Sequence, residues 1–413
     1  MGKKEEKRPS KQNKLLAALL RALVFPRYLR RRNLSVARIG TENLKPPFLL
    51  LPSRGGPLDY IVAMRALSPH PLHFVLPSDL VHSAEVPLAA GMGIIIAKRH
   101  FRDADTMRKL KICVGEYRDA VAFFPEGRRT VDGTGAYFNG DAARFAKELG
   151  VPVAVLRMNG NYLSCPPWNG QDSKVPLYAE LVSVADEEEI KTLSAEELHA
   201  RICERIKTDD YAYQRAHAYE VNGAHRADGL HRILYQCPHC HAEFMTYSED
   251  TRLWCASCGR GWQLSEFGEL LAEEGETPFS AVPEWTQWER QHLRKKIESG
   301  DYRFGTEVFV RTSLGGRRFS RKRKGILTQT KEGTALEFPD TKERIEWKND
   351  ELWGLHIEYD YRRSKSSKSW GDVADLPKGD ARYYVVFTER DRLTKFAFAT
   401  DEIYQLSLQA ARN

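Results

Sequence analysis

Seven cysteines occur in 413 residues, and four of them form two short pairs, Cys237-Pro-His-Cys240 and Cys255-Ala-Ser-Cys258, with 14 residues between them. Zinc takes four tetrahedral ligands, and two Cys-x2-Cys knuckles supply them as thiolates. A shell closed by four cysteines leaves no open position, so the metal they predict is structural. A three-cysteine variant would recruit His239 or His241 beside the first knuckle. Tyr235, Phe244, Trp254 and Trp262 supply the apolar cover of a core too small to fold without metal. Cys113, Cys165 and Cys203 stand alone. The N-terminal apolar run is not followed by a small-residue cleavage site, so it does not read as a signal peptide. The pairs therefore read as a metal site in a reducing compartment, not as disulfides.

A second group of reactive side chains lies in four stretches: Pro52-Ser-Arg-Gly-Gly-Pro-Leu-Asp59, Gly93-Ile-Ile-Ile-Ala-Lys-Arg99, Phe124-Pro-Glu-Gly-Arg-Arg-Thr130 and Gly150-Val-Pro-Val-Ala-Val155. They combine two carboxylates, Asp59 and Glu126, with Arg54, Arg99 and Arg129, and arginine's forked donors suit phosphate oxygens. In order and spacing these stretches resemble the phospholipid/glycerol acyltransferases, the family of lysophosphatidate acyltransferase. The resemblance covers residues 35–215. It implies acyl transfer to a glycerol hydroxyl, in which the histidine of a His-x4-Asp motif takes the proton and the aspartate orients the imidazole. By the resemblance, Asp59 is that aspartate, Arg99, Gly127 and Arg129 engage the acceptor phosphate and glycerol, and Glu126 belongs to the third motif. Arg128 and Thr130 replace that motif's usual Thr and Ser. Arg54 stands where the family has its histidine. A guanidinium, with a pKa above about 12, cannot act as a base near neutral pH. Five residues from Asp59, it can instead pair with that carboxylate. His70, His73, His82 and His100 are the neighbouring imidazoles, none at the required offset. Each of these residues has a plain structural alternative: surface arginines for Arg99 and Arg129, a turn cap for Glu126, and an ion pair for Asp59.

The elements that must position these groups alternate short apolar runs with helical patterns. Residues 47–52, 73–76, 93–97, 120–124, 151–157 and 178–184 read as strands. Residues 59–66, 103–118, 140–149 and one long stretch, 195–218, read as helices. The expected fold is α/β, an acyltransferase-type mixed sheet with helices over residues 35–222. A zinc ribbon over 230–268 follows, then a β-rich domain over 300–413. Seven strand-like segments there, including 395–399, and a last helix over 400–411 resemble a pleckstrin-homology-like barrel in element order.

The charge is uneven. Residues 1–32 hold eleven lysines and arginines against two glutamates, a local +9 on a chain of net +7. Leu15, Leu16, Leu19, Leu20 and Leu23 follow helical spacing up to Pro26, which is expected to stop the helix. The run is too short to span a bilayer, which needs about 20 apolar residues. Residues 1–34 thus read as a basic amphipathic helix on an anionic membrane surface, the alternative being a first helix packed on its own domain. Acidic residues around the ribbon offset its few arginines, which argues against nucleic acid. Arg317, Arg318 and the run Arg321-Lys-Arg-Lys324 form a further basic cluster, phosphate-binding or a solvated strand edge. The sequence therefore points to a peripheral protein of the cytoplasmic membrane face. It would transfer an acyl group from acyl-CoA or acyl-carrier protein to a lysophospholipid such as lysophosphatidate. Two alternatives stand beside this: an impaired enzyme that binds lipid phosphate without turnover, and a zinc-ribbon scaffold for protein or nucleic acid.

Overall fold

The computed structural model describes residues 8–77, 85–97, 104–314, 318–362 and 367–411. His82, Arg99, His100 and Arg317, all singled out by the sequence, lie outside these residues. The chain divides into two compact units. One comprises Met1–Gly127, Phe138–Tyr162 and Lys174–Asp210; the other comprises Arg128–Tyr137, Leu163–Ser173 and Tyr211–Asn413.

The first unit is built on a seven-stranded sheet. Its strands are β1 (Ser35–Ile39), β2 (Leu49–Pro52), β3 (Leu72–Pro77), β4 (Ile95–Ala97), β5 (Ala120–Ala122), β6 (Val153–Asn159) and β7 (Tyr178–Ala185), in the order β1-β7-β6-β2-β5-β3-β4. From β6 to β4 the neighbours run parallel, while β7 runs antiparallel to β6. Leu49, Leu50 and Leu51 of β2 are all buried, the unbroken apolar run of a strand covered on both faces. As a result the carboxyl ends of β6, β2 and β5 lie side by side, where open α/β sheets bind ligands. The helix Asp59–Ala66 follows β2 with the bounds the sequence predicts.

Three expectations for this unit change. The strand β1 has no clean alternation in the sequence and was not foreseen; its burial is almost wholly exposed, and pairing with β7 holds it. The long helix expected over 195–218 is two helices, Ala195–Ile206 and Asp210–His217. Lys207 breaks it with an extended backbone, ψ 131°, and buried Asp210 instead accepts the amides of Gly160 at 3.0 Å and Tyr162 at 2.9 Å. Pro26 does not stop the N-terminal helix either. A π turn, Leu20–Val24, separates Lys14–Leu19 from Phe25–Leu29, and Pro26 falls in the first turn of that last piece, where a missing N–H costs nothing. Leu16, Leu20 and Val24 pack on the core, whereas Leu15, Leu19 and Leu23 are exposed. No helix among the described residues is long and apolar enough to cross a membrane.

The second unit contains a four-stranded antiparallel sheet of β8 (Thr246–Glu249), β9 (Arg252–Cys255), β10 (Gly261–Leu264) and β11 (Leu270–Ala272); the first knuckle precedes β8 and the second joins β9 to β10. The helix Val282–Glu298 packs on it: Trp285 stacks edge-on against Trp262 at 4.9 Å and donates its indole N–H to the Gln236 carbonyl at 2.9 Å. Beyond it, β12 (Phe304–Leu314), β13 (Arg318–Phe319), β14 (Arg323–Thr330), β15 (Gly333–Phe338), β16 (Glu343–Lys348), β17 (His356–Glu358), β18 (Val373–Lys378) and β19 (Ala381–Phe387) form one antiparallel sheet. Its order is β16-β15-β14-β12-β19-β18-β17, two meanders joined through β12 and β19, with β13 added to β12. The helix Arg392–Ala410 closes the unit. Residues 395–399, expected as a strand, lie inside that helix. Their alternation of Phe and Ala mimics a strand, but Phe396, Ala397, Phe398 and Ala399 are all buried, so no polar face breaks the helix.

Candidate functional site

Each of three neighbouring strand ends delivers one polar side chain to the same place. After β2 comes Arg54, after β5 comes Glu126, and after β6 comes Asn161. Asp59 opens the helix that follows β2, and its carboxylate is wholly buried. The Arg54 Nη1 donates to Asp59 Oδ2 at 3.0 Å and to the Gly56 carbonyl at 3.2 Å. The Gly56 amide donates to both Asp59 oxygens at 3.0 Å, and Asn161 Nδ2 donates to Oδ1 at 2.7 Å. Glu126, also buried, accepts the Arg54 backbone amide at 3.1 Å. First and third motifs are therefore tied together through Arg54. Gly56 is required by this closeness, since a Cβ there would come within 2.3 Å of the Asn161 carbonyl oxygen.

The guanidinium also lies over two rings, 4.9 Å from the Tyr60 centroid and 4.7 Å from that of Phe124. Such a cation is held by its carboxylate and by the negative faces of the rings. The pair that the spacing of Arg54 and Asp59 allows is thus formed. The arrangement can neutralise and fix Asp59, and it can present the remaining Arg54 N–H donors to an anion. It cannot take a proton from a hydroxyl through Arg54.

Of the remaining candidates, Gly127 turns the chain at φ 66°, its amide donating to the Phe124 carbonyl at 3.2 Å. Arg128 and Arg129 belong to the second unit. There Arg128, buried, donates to buried Asp401 at 2.6 Å, and Arg129 donates to the Cys165 carbonyl. His73 is not available as a substitute base. It is buried in β3 with one ring nitrogen 2.9 Å from the Gly93 carbonyl and the other 3.0 Å from Asp119. It and His70 lie at the amino end of β3, away from the strand ends that carry Arg54.

The acyltransferase family model matches residues 35–159. Those residues are an acyltransferase domain. Among solved structures, the chain is similar to the 1-acyl-sn-glycerophosphate (LPA) acyltransferase PlsC from Thermotoga maritima. The two share 19% identity at a TM-score of 0.35, over 47% of this chain and 75% of that one. No curated protein matches the chain.

In the first unit, sequence reasoning passed over Asn161 and Asp210. Asn161 had one available signal, its place just past the fourth-motif strand in Asn159-Gly-Asn161, where Gly160 turns at φ 84°. Asp210 had none, because it reads as part of a continuous helix.

The second candidate centre lies outside the acyltransferase domain. The sulfur atoms of Cys237, Cys240, Cys255 and Cys258 all lie within 4.8 Å of one another, with Cys237–Cys258 and Cys240–Cys255 each at 3.7 Å. A tetrahedron with Zn–S of about 2.3 Å has edges near ~3.8 Å, so the four thiols fit zinc. Before metal binds, burial raises the Cys237 and Cys255 thiols, so zinc would have to displace their protons, and Cys240 is the one lowered. Burial pushes the Cys240 thiol up, but the Ala242 amide and the neighbouring thiols outweigh it and bring its pKa to about 7. Outside the cluster, burial raises Cys113 to about 12 and Cys203 to about 11, which keeps them as inert thiols. His239 and His241 are not part of the cluster.

Proposed function

We propose that the acyltransferase domain binds a lysophospholipid, lysophosphatidate being the simplest acceptor, and that its acyl transfer is impaired by the loss of the general base. The observation that carries this reading is the Arg54–Asp59 ion pair at the carboxyl end of β2. In the chemistry of the family, that aspartate orients an imidazole. Here an arginine and an asparagine use its oxygens. Removal of a general base costs about 10²–10⁴-fold in rate, while positioning of the acceptor survives it. Arg99 and Arg129 are the residues proposed to hold the acceptor phosphate, with Gly127 beside the glycerol and Glu126 holding the Arg54 loop. The family match keeps a second reading alive, a working transferase that uses acyl-CoA or acyl-carrier protein as donor.

The rest of the protein fits a peripheral role at an anionic membrane, on its cytoplasmic face. The exposed leucines of the N-terminal segment and its arginines support attachment there. Zinc, held by Cys237, Cys240, Cys255 and Cys258, would supply structure and no chemistry, since four thiolates complete its shell. Titration of lysophosphatidate into the purified chain tests the reading. The wild type is expected to bind, and Arg99→Ala and Arg129→Ala to bind more weakly by about 1.5–3 kcal/mol each, the size of a lost charge-assisted hydrogen bond. Unchanged affinity in both variants would return these arginines to the surface.

A further inference from the structure

A second cationic feature of the first unit stands apart from the Arg54–Asp59 pair. A groove of about 590 Å³ is bounded by the N-terminal helical segment, β1 and the carboxyl end of the helix Asp59–Ala66. Asp59 is at the other end of that helix. Arg21, Arg38 and Arg65 line the groove, and Phe25, Leu29 and Leu34 form its apolar wall. No acidic side chain is among the described residues that line it.

Two of the three guanidiniums are fixed without being neutralised. Arg21 donates to the carbonyls of Pro69 at 3.2 Å and His70 at 3.3 Å, and Arg38 donates to that of Ala66 at 3.1 Å. The Ala66 carbonyl is at a helix C-terminus, where the dipole leaves partial negative charge and favours cations. Carbonyls hold a guanidinium in place but carry no full charge to cancel it. Among the described residues, no carboxylate pairs with any of the three. Burial, and then the like charge of Arg65, lower the Arg21 pKa, as expected for two cations that line one groove. Each guanidinium has five N–H donors, and most of those in the groove are left over. An anion would relieve the repulsion and take those donors.

The surroundings say what kind of anion. Leu15, Leu19 and Leu23, spaced four apart on the segment that bounds the groove, are 84%, 54% and 67% exposed. They present an apolar stripe to solvent beside a cationic cleft whose inner wall is also apolar. A free inorganic anion would have no use for either apolar surface, whereas an amphipathic anion would use both. We propose that this groove is a binding site for the phosphate-bearing headgroup of an anionic phospholipid, with the leucine stripe entering the bilayer next to it. The site is separate from the proposed acceptor site and does not depend on acyl transfer.

Flotation of the full chain with phosphatidylcholine vesicles, with and without phosphatidylglycerol, tests the assignment. Arg38→Gln and Arg65→Gln are compared with Arg27→Gln and Arg30→Gln, which alter the same basic segment or its neighbours outside the groove. Diffuse attraction to an anionic surface is worth about fivefold per arginine. Arginines that make charge-assisted bonds to one headgroup cost about 10- to 100-fold each. The groove variants are expected to show the larger loss on anionic vesicles and the controls at most the smaller. Among the described residues the Arg65 guanidinium has no hydrogen-bond or ion-pair partner, so its replacement separates binding from stability. Equal losses in all four variants would overturn the site in favour of diffuse charge. A soluble short-chain phosphatidate is expected to compete with the vesicles. Equally strong competition by inorganic phosphate would overturn the lipid assignment.

Discussion

The four-cysteine centre and the strand-end site are put together in opposite ways. The cysteines come from two hairpin-like knuckles within 22 residues, so one local stretch supplies a complete ligand set. The strand-end site draws on residues 54, 59, 126 and 161, brought together only by a sheet that places β2 between β5 and β6. A locally closed site needs its own residues and little else. A dispersed site can lose one member and still be held in shape by the others, as Asp59 is by Gly56 and Asn161. On the proposed reading Arg54 stands where the family has its histidine, and it satisfies such a frame without supplying a base.

This contrast predicts how the two regions respond to damage. The largest effect belongs to the metal centre. Purified protein is expected to hold one zinc per chain by elemental analysis. Cys255→Ser combined with Cys258→Ser should abolish it and unfold the ribbon, because structural zinc contributes about 10–16 kcal/mol of apparent binding energy in small domains at pH 7. Retention of metal by the double variant would show that the set is not closed by these four cysteines. The next effect belongs to Arg54→Ala. Asp59 would stay wholly buried with its amide donors but without the Arg54 guanidinium, at a cost of about 3 kcal/mol in a denaturant melt. An unchanged midpoint would mean that Asp59 does not need the pair. The smallest belongs to Asn161→Ala, which removes one donor from Asp59 Oδ1 and should cost about 1–3 kcal/mol. A loss as large as that of Arg54→Ala would place the weight of the frame on hydrogen bonding instead of charge.

What the sequence made legible follows the same division. The knuckles and the helix Asp59–Ala66 could be read outright, because ligand spacing and helical periodicity are local properties. Arg54 was readable as a departure, since the offset to Asp59 is also local. Asn161 and Asp210 were not readable, since their partners lie 102 residues away at Asp59 and 48 or more away at Gly160 and Tyr162. The C-terminal helix failed for another reason: residues 395–399 alternate Phe and Ala as a strand would, and only burial on every side distinguishes the two. Arg128 looked like a casual replacement of a family threonine, yet it is the buried partner of Asp401, 273 residues away.

The central claim is that Arg54 has taken the place of the base without dismantling the site around it. An acyl-transfer assay from acyl-CoA to lysophosphatidate, run on the wild type and on Arg54→His, tests it most directly. The introduced imidazole would stand five residues from Asp59, the offset the family uses. The account predicts little or no turnover in the wild type and a gain in Arg54→His on the order of the 10²–10⁴-fold that a general base contributes. Robust wild-type turnover that Arg54→His leaves unchanged would contradict it, because the proton would then be taken by a group at another position.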